Sequence, residues 1–159
     1  MTMQLSIRLE GLTELQRRTA DPRILADAER RFLLQSGLAV QRGAQIGAPV
    51  DQGRLRGSIK VEVDPSPSPQ WAKVGTNVFY APYQEYGTGI YGPKRRRIRP
   101  KQAQALRWAV GGGFAFARSV AGTPGKRYME KGLRGAESRI ASLRRKLASD
   151  IAKGISRGR

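Results

Sequence analysis

Apolar residues recur at helical spacing in the first third of the chain. Asp21-Pro22 is a typical helix start, because Asp caps free N–H groups and proline fits the first turn. Gly47-Ala48-Pro49 is a typical helix end. The pattern predicts an amphipathic helix over 22–46. The positions on or beside its apolar face are Leu25, Ala28, Phe32, Leu33, Leu38, Ala39 and Ile46.

A second helical pattern occupies the C-terminal part of the chain. It predicts a helix over 128–155 that, at a rise of ~1.5 Å per residue, is ~40 Å long. The apolar face of such a helix packs on its own core. Its length leaves room to contact sister subunits or to project a basic tail. The stripe consists of Met129, Leu133, Ala136, Ile140, Leu143, Leu147, Ile151 and Ile155.

Three short segments alternate apolar and polar residues, a pattern that predicts β-strands. They cover 3–9, 59–63 and 71–78. The Pro/Ser segment 64–70 between the last two is interpreted as a loop too polar to pack. The aromatic segment 80–87 predicts one helical turn that a glycine ends.

Two further alternating runs, 106–110 and 114–120, flank Gly111-Gly112-Gly113. This arrangement predicts a β-hairpin with a glycine turn. A helix through 105–110 is the competing interpretation and stays open. Residues 121–127 are interpreted as a turn. Together the elements predict an α+β fold, in which a small twisted antiparallel sheet packs with an N-terminal helix and a long C-terminal amphipathic helix.

Composition bounds the class of protein. The chain has 159 residues, which suits a single domain covering 1–159, and its 39% hydrophobic content can support a core. It contains no Cys and no His. Disulfides, thiolate metal sites, imidazole bases and ordinary zinc sites are therefore excluded. We expect neither catalytic residues, nor a metal, nor a cofactor, and an enzyme is the least favoured class.

Charge is unevenly distributed along the chain. The formal net charge is +18, of which +2 falls on residues 1–85, +10 on 86–129 and +6 on 130–159. Such an excess favours contact with nucleic acid, an acidic membrane surface or acidic protein. No apolar run approaches the ~18–20 residues of a membrane span, and MTMQLSIRLE lacks the apolar stretch of a signal peptide. We therefore expect a soluble intracellular chain, or part of an assembly made inside a cell, with no membrane contact.

The sharpest local feature is the Gly/Pro-punctuated segment 87–101, interpreted as an exposed basic loop. Its guanidinium groups could bind phosphates of nucleic acid, or the loop could dock on an acidic neighbouring subunit or be merely solvated. These alternatives stay open. The candidate contact residues are Lys94, Arg95, Arg96, Arg97, Arg99 and Lys101.

Other candidate sites have simpler interpretations. The aromatic residues between 79 and 91 fit core or interface anchors better than a base-stacking platform. The triplet of glycines fits a hairpin turn better than a phosphate cradle. Asp51 and Glu85 could form a catalytic carboxylate pair, but no nucleophile or metal ligand supports them. Asp51 more simply braces its turn, and Glu85 more simply pairs with an arginine.

Three segments resemble signatures of one protein family. Residues 48–59 resemble "AP-x-D-T-G-x-L-R-x-S-I", with Gln52 in the place of Thr. Residues 74–89 resemble "V-G-T … Y-A-x-Y-x-E-F-G-T", and 124–129 resemble "P-G … P-F-L/M". The matching residues to which we assign structural roles are Pro49, Asp51, Gly53, Leu55, Gly75, Tyr80, Glu85, Gly87, Pro124 and Gly125.

The family is the small head–tail junction protein of long-tailed bacteriophages, also described as a neck, tail-completion or tail component. The resemblance implies a non-enzymatic virion protein, assembled in the host cytoplasm. It implies a homo-oligomeric ring, commonly six-fold, that joins the tail tube to the head connector around the DNA channel. The implied partners are head-connector, tail-terminator and tail-tube proteins. Apart from the resemblance, we suggest that 87–101 and the C-terminal end contact partner rings or genomic DNA in the channel. The basic loop lies outside what the signatures define.

Two hypotheses from other classes remain. One is a stand-alone basic nucleic-acid-binding protein with a packaging or ribosome-associated role, which the charge favours. The other is a hydrolase that uses Asp51 and Glu85, which requires the two carboxylates to share a cleft.

Overall fold

A computed structural model of the chain describes residues 3–8 and 22–157. By backbone contacts it divides into two compact units: unit one, Met1–Val78 with Tyr128–Arg159, and unit two, Phe79–Arg127. Long helices and small antiparallel sheets confirm the α+β class. The organisation as a single domain stays a prediction.

Unit one contains a three-stranded antiparallel sheet, as the alternation predicts. Its strands β1 (Met3–Arg8), β2 (Lys60–Val63) and β3 (Trp71–Thr76) lie in the order β1-β3-β2. Leu5 and Val61 both pair with Val74, so these three side chains lie on one face. The predicted end of β1 at Leu9 falls outside the described residues.

Two long helices cover the apolar face of this sheet. Helix α1 spans Pro22–Gly47 and helix α4 spans Tyr128–Arg157. The core cluster joins both helices to β3 and consists of Ala28, Phe32, Leu33, Ala72, Leu143 and Leu147. The predicted stripe of α4 is buried or half-buried from Met129 to Ile151, whereas the side chain of Ile155 lies outside the described set. None of the described helices combines the length and apolarity needed to span a membrane.

The buried face of α1 differs from the predicted one. Leu38 is 47% exposed and Ile46 is 71% exposed, so their assignment to the apolar face is wrong. Val40 and Ala44 are fully buried instead. Val40 and Ala44 continue the buried face of Phe32, and with 3.6 residues per turn Leu38 lies roughly opposite that face. Gly43 meets α4, where a Cβ would lie 2.9 Å from the Cα of Gly132. Small residues therefore face α4, and two large apolar ones face outward.

The connections in unit one are more ordered than their composition suggests. Residues Arg54–Ser58 form a short helix, α2, between α1 and β2. Loop 64–70 is built around Asp64, whose carboxylate accepts N–H groups from Ser66 and Gln70, both at 3.0 Å. Arg30 donates to the Ser66 carbonyl at 2.7 Å, and Pro69 is buried. The interpretation of this loop as too polar to pack is therefore wrong.

Unit two contains a short helix α3 (Ala81–Tyr86), a 3-10 turn (Gly89–Tyr91) and a hairpin of β4 (Leu106–Val110) and β5 (Gly113–Ala117). The hairpin is confirmed, and the competing helix is wrong. Its two-residue turn has φ of 49° at Gly111 and 88° at Gly112. Two successive positive φ values define a type I′ turn, whose twist suits a hairpin.

Candidate functional site

The first signature, 48–59, forms a tight turn between α1 and β2. Gly53 precedes α2 in the left-handed region, with φ of 74°, which a Cβ makes costly. Leu55 is buried. Arg56 donates from Nε to the Gln45 carbonyl at 2.8 Å, which ties α2 back to α1. The signature therefore provides a left-handed turn, a buried leucine and a tether.

One hydroxyl pair joins the first signature to the start of the second. The Oγ of Ser58 and the Oγ1 of Thr76 are 2.6 Å apart, and Thr76 also accepts the N–H of Val78 at 3.1 Å. Gly75 lies near the end of β3, where a Cβ would come within 2.9 Å of the Gln4 side chain. The lack of a side chain at Gly75 lets β1 pair closely at this end of the sheet.

The two carboxylates of the hydrolase hypothesis differ in environment. Asp51 is exposed and accepts no hydrogen bond from the described residues, so its interpretation as a turn brace is wrong. The left-handed Gly53 shapes this turn instead, beside a half-buried Pro49. Glu85 belongs to the other unit and is only 3% exposed. Its pairing with an arginine stays a prediction. Within the described residues, no three His, Cys, Asp or Glu side chains cluster as metal ligands would.

The structure brings the second and third signatures together in unit two. Gly87 pairs with Pro124 in an antiparallel bridge. Gly87 ends α3 with φ of 83°, and a Cβ there would lie 2.7 Å from the N of Gly125. Beside it, the backbone N–H of Arg127 donates to the Glu85 carbonyl at 3.1 Å, and Tyr80 precedes α3 half-buried. The glycines of both signatures thus allow two backbones to touch.

This contact continues as an irregular ladder that sequence reasoning missed. Residues 119–126, interpreted as the end of a strand followed by a turn, run beside 84–98; we call them the bracing segment. Ile90 donates its N–H to the Ala121 carbonyl at 2.8 Å. Ile98 and Val120 exchange both backbone hydrogen bonds, at 2.9 and 3.0 Å. Glycines in both paired segments were a signal of close backbone contact. The pattern within one segment, however, cannot show which other segment it pairs with.

The ladder holds the segment 87–101, and from here on we use the name basic loop for its cationic part, residues 93–101. A turn closes it at one end, where the N–H of Arg95 donates to the Gly92 carbonyl at 3.0 Å. Arg95 itself has φ of 46°, uncommon for a residue with a side chain. Arg97 donates from Nε to the Ser119 hydroxyl at 3.0 Å. All six predicted contact residues, Lys94, Arg95, Arg96, Arg97, Arg99 and Lys101, are exposed.

Unit two concentrates positive charge on its surface. It contains ten Lys and Arg residues, all exposed, and a single acid, the buried Glu85. No carboxylate is exposed anywhere between Phe79 and Arg127, all of which the structure describes. The unit therefore cannot neutralise its own surface charge and attracts an external anion.

Aromatic side chains add an apolar surface to the same unit. Phe79, Tyr83, Tyr86 and Tyr91 are each more than half exposed, so their interpretation as core residues is wrong and a role at an interface stays a prediction. On the hairpin, exposed aromatics occupy both faces. These are Trp108 on one face, and Phe114 and Phe116 on the other. The guanidinium of Arg107 lies 4.1 Å from the ring centroid of Phe114.

Residues 12–87 match the HK97-gp10-like family of bacteriophages. The family is described as "Bacteriophage HK97-gp10, putative tail-component". The match confirms the resemblance to a phage tail family for the part of the chain that holds the first signature and most of the second. Searches of curated proteins and of solved structures each found no match.

The family match includes only part of the candidate site. It covers just under half of the chain and ends at Gly87, which pairs with Pro124 of the bracing segment. The matched residues therefore include the turn of the first signature and α3. The basic loop, the hairpin and the third signature lie beyond them.

Proposed function

We propose that the chain is a virion subunit that forms a ring at the head–tail junction and joins the tail tube to the head connector around the DNA channel. The observation that carries the proposal is the match of residues 12–87 to a phage tail-component family. A tail component implies contact with other virion proteins. The placement at the neck, the role in tail completion and the six-fold symmetry are our inference.

Exposed apolar surface supports assembly into a larger particle. The hairpin of unit two presents aromatic side chains on both faces, and Leu34 and Leu38 are exposed on α1 of unit one. Contiguous exposed apolar surface is typical of protein interfaces. Different patches on one subunit suit head-to-tail contacts, and such contacts produce a closed ring when their rotation closes.

We also infer a structural rather than a catalytic role. The chain has no His or Cys, and its one candidate carboxylate pair consists of an exposed Asp51 and a buried Glu85. In this proposal the residues of the signatures have structural roles, in which the glycines shape turns and allow backbones to approach. They are Pro49, Asp51, Gly53, Leu55, Gly75, Tyr80, Glu85, Gly87, Pro124 and Gly125.

A phage that carries a nonsense mutation early in this reading frame tests the proposal. We expect filled heads and separate tails that do not join, and rescue of joining when the wild-type chain is supplied from a plasmid. Mass spectrometry of purified wild-type particles should detect the chain, and cryo-EM should place it at the neck. Infectious, fully joined particles that lack the chain would overturn the proposal.

A stand-alone basic nucleic-acid-binding protein is the second candidate, and the surface charge of unit two favours it. The same fractionation distinguishes the two functions. A virion subunit sediments with particles after nuclease treatment. A packaging or ribosome-associated protein is absent from purified particles and remains with cellular nucleic acid.

A further inference from the structure

We propose that the basic loop, 93–101, is a binding site for the phosphate backbone of duplex DNA. The location of this DNA, in the channel of the head–tail junction, rests on the proposed function. The binding itself is a property of the isolated chain, so it can be tested separately.

Charge density is the first argument. The loop carries six Lys and Arg residues between positions 94 and 101, and all six are exposed. The surface of unit two offers them no carboxylate, because Glu85 is buried. A duplex carries one negative charge per ~1.7 Å of its axis, and neutralising its phosphates releases condensed counterions. The loop therefore gains most from a ligand with a dense, repeating negative charge.

Backbone geometry is the second argument. The Ile98–Val120 bridge holds an extended segment, in which alternate residues lie on the same side. Arg97 and Arg99 share a side and are about 7 Å apart along the chain. Along each strand the phosphates rise by ~3.4 Å per step, so two cations about 7 Å apart can face different phosphates. Each guanidinium can then bind its own phosphate.

Ordering of one side chain is the third argument. Arg97 donates from Nε to the Ser119 hydroxyl and from Nη2 to the Ser119 carbonyl. A guanidinium has five N–H donors, so further donors stay available for phosphate oxygens. Because Ser119 already restricts this side chain, binding a phosphate costs less conformational entropy.

The loop suits DNA better than it suits an acidic protein. Interfaces between proteins are enriched in aromatic residues, Met and Arg, and depleted in Lys and acidic residues. Between 94 and 101 the apolar side chains are limited to Ile98, which is 37% exposed, and Pro100. The exposed aromatics lie outside the loop, between Phe79 and Tyr91 and on the hairpin. Since no base-reading motif accompanies the loop, we expect binding independent of sequence.

Fluorescence anisotropy with a 30-base-pair duplex of mixed sequence, titrated with the full chain across a series of NaCl concentrations, tests the site. The test variant is Arg96→Glu/Arg99→Glu/Lys101→Glu, which spares the tethered Arg97. The control is Arg139→Glu/Arg144→Glu/Arg145→Glu, which changes three exposed residues of α4 and gives the same net charge. Circular dichroism verifies that both variants fold.

We expect the wild-type chain to bind and the loop variant to bind at least about tenfold more weakly. The slope of log K against log[NaCl] should be less steep by about 3 for the loop variant, because three phosphate contacts are lost and each contributes about 0.9. The α4 variant should keep most of the affinity and the slope. A duplex of a second sequence should bind equally well.

Three results would overturn the site. The first is a wild-type chain without affinity for the duplex at low salt, and the second is an equal loss of binding in the two triple variants. The third is a loop variant that binds DNA like the wild type but fails to enter particles, which would assign the loop to an acidic protein partner. Detection of the chain at the neck by cryo-EM is independent of these results, so the site can fail while the proposed function stands.

Discussion

The two long helices of unit one come within backbone contact distance at Gly132. A Cβ on this residue would lie 2.8 Å from the Cα of Ala44 and 3.0 Å from its Cβ. Gly43 faces Gly132 from the other helix at a similar separation. Glycine within a helix costs up to about 1 kcal/mol relative to alanine. The packing that it permits here explains why it is tolerated.

Replacing Gly132 with Ala should therefore destabilise the chain. Forced overpacking costs about 1–3 kcal/mol, and the gain in helix propensity offsets at most about 1 kcal/mol, so we expect a net loss of about 1–2 kcal/mol. Urea unfolding followed by circular dichroism measures it. Gly135→Ala is the matched control, because a methyl group on this exposed glycine of the same helix would meet no atom within 4 Å. The Gly135→Ala control should gain about 0.5–1 kcal/mol in free energy of unfolding. Equal effects of the two substitutions would contradict a close helix contact.

A substitution at Gly53 isolates the effect of backbone conformation, because it causes no steric clash. Its φ is 74°, and a Cβ would meet no atom within 4 Å. Gly53→Ala should cost about 1–2 kcal/mol through left-handed strain alone. Gly57→Ala, in α2 with equal open space, should be neutral or stabilising. Thermal unfolding midpoints of the two variants check this, and a Gly53→Ala chain as stable as the wild type would show that the turn has another conformation in solution.

At the scale of elements, loop 64–70 is organised by one carboxylate. The backbone N–H groups of Gln70 and Ser66 hold the pKa of Asp64 below its ordinary value of 3.8, with smaller help from the Ser66 hydroxyl and the charge of Arg30. The folded chain thus binds this proton less readily than the unfolded chain. The stabilisation is complete above the ordinary pKa and is lost as the pH falls through 3.8 towards the lowered pKa.

Asp64→Asn should remove this part of the pH dependence. Thermal unfolding midpoints measured from about pH 6 down to about pH 3 should fall more steeply for the wild type than for the variant. The two chains should differ most in stability at the upper end of this range and converge at the acidic end. Asp51→Asn changes the net charge equally and serves as the charge control. Parallel pH profiles for the wild type and Asp64→Asn would rule out the carboxylate as the organiser of the loop.

Several elements could be predicted from local patterns because their cause is local. Alternation around Gly111 and Gly112 predicted the hairpin, whose turn needs positive φ at both positions. The face of α1 could not be read in the same way. Leu38 and Ile46 are exposed because the buried face runs through Val40 and Ala44. That face is set by α4, which meets α1 at Gly43 and Ala44 and comes from far along the chain.

The candidate site also has one part that the sequence predicts and one part that it does not. Composition alone predicted the six exposed cations of the basic loop, since clustered charge remains solvated unless it is paired. The bracing segment could not be predicted. Its contacts join Ile98 to Val120 and Gly87 to Pro124, across separations of 22 and 37 residues. Such pairing has no local period, and the turn-like composition of 121–127 conceals it.

At the scale of the whole molecule, a net charge of +18 opposes self-association through repulsion. Apolar contacts through the hairpin would favour it, since Phe114 and Phe116 are 59% and 65% exposed. Added salt shortens the Debye length to about 10 Å at 0.1 M and about 3 Å at 1 M. Screening weakens the repulsion and leaves apolar contacts intact. Mass photometry of the purified chain should therefore show larger oligomers as NaCl is raised.

The hairpin supplies the variant that makes this prediction specific. Phe114→Ser/Phe116→Ser removes exposed apolar surface, so it should leave the thermal unfolding midpoint nearly unchanged while keeping the chain in smaller species at high salt. Leu34→Ser is a single-site comparison on the exposed face of α1, where the side chain is 42% exposed. Oligomers that dissociate when salt is added would show that ion pairs hold the copies together, and an unaltered double variant would exclude the hairpin from the contact.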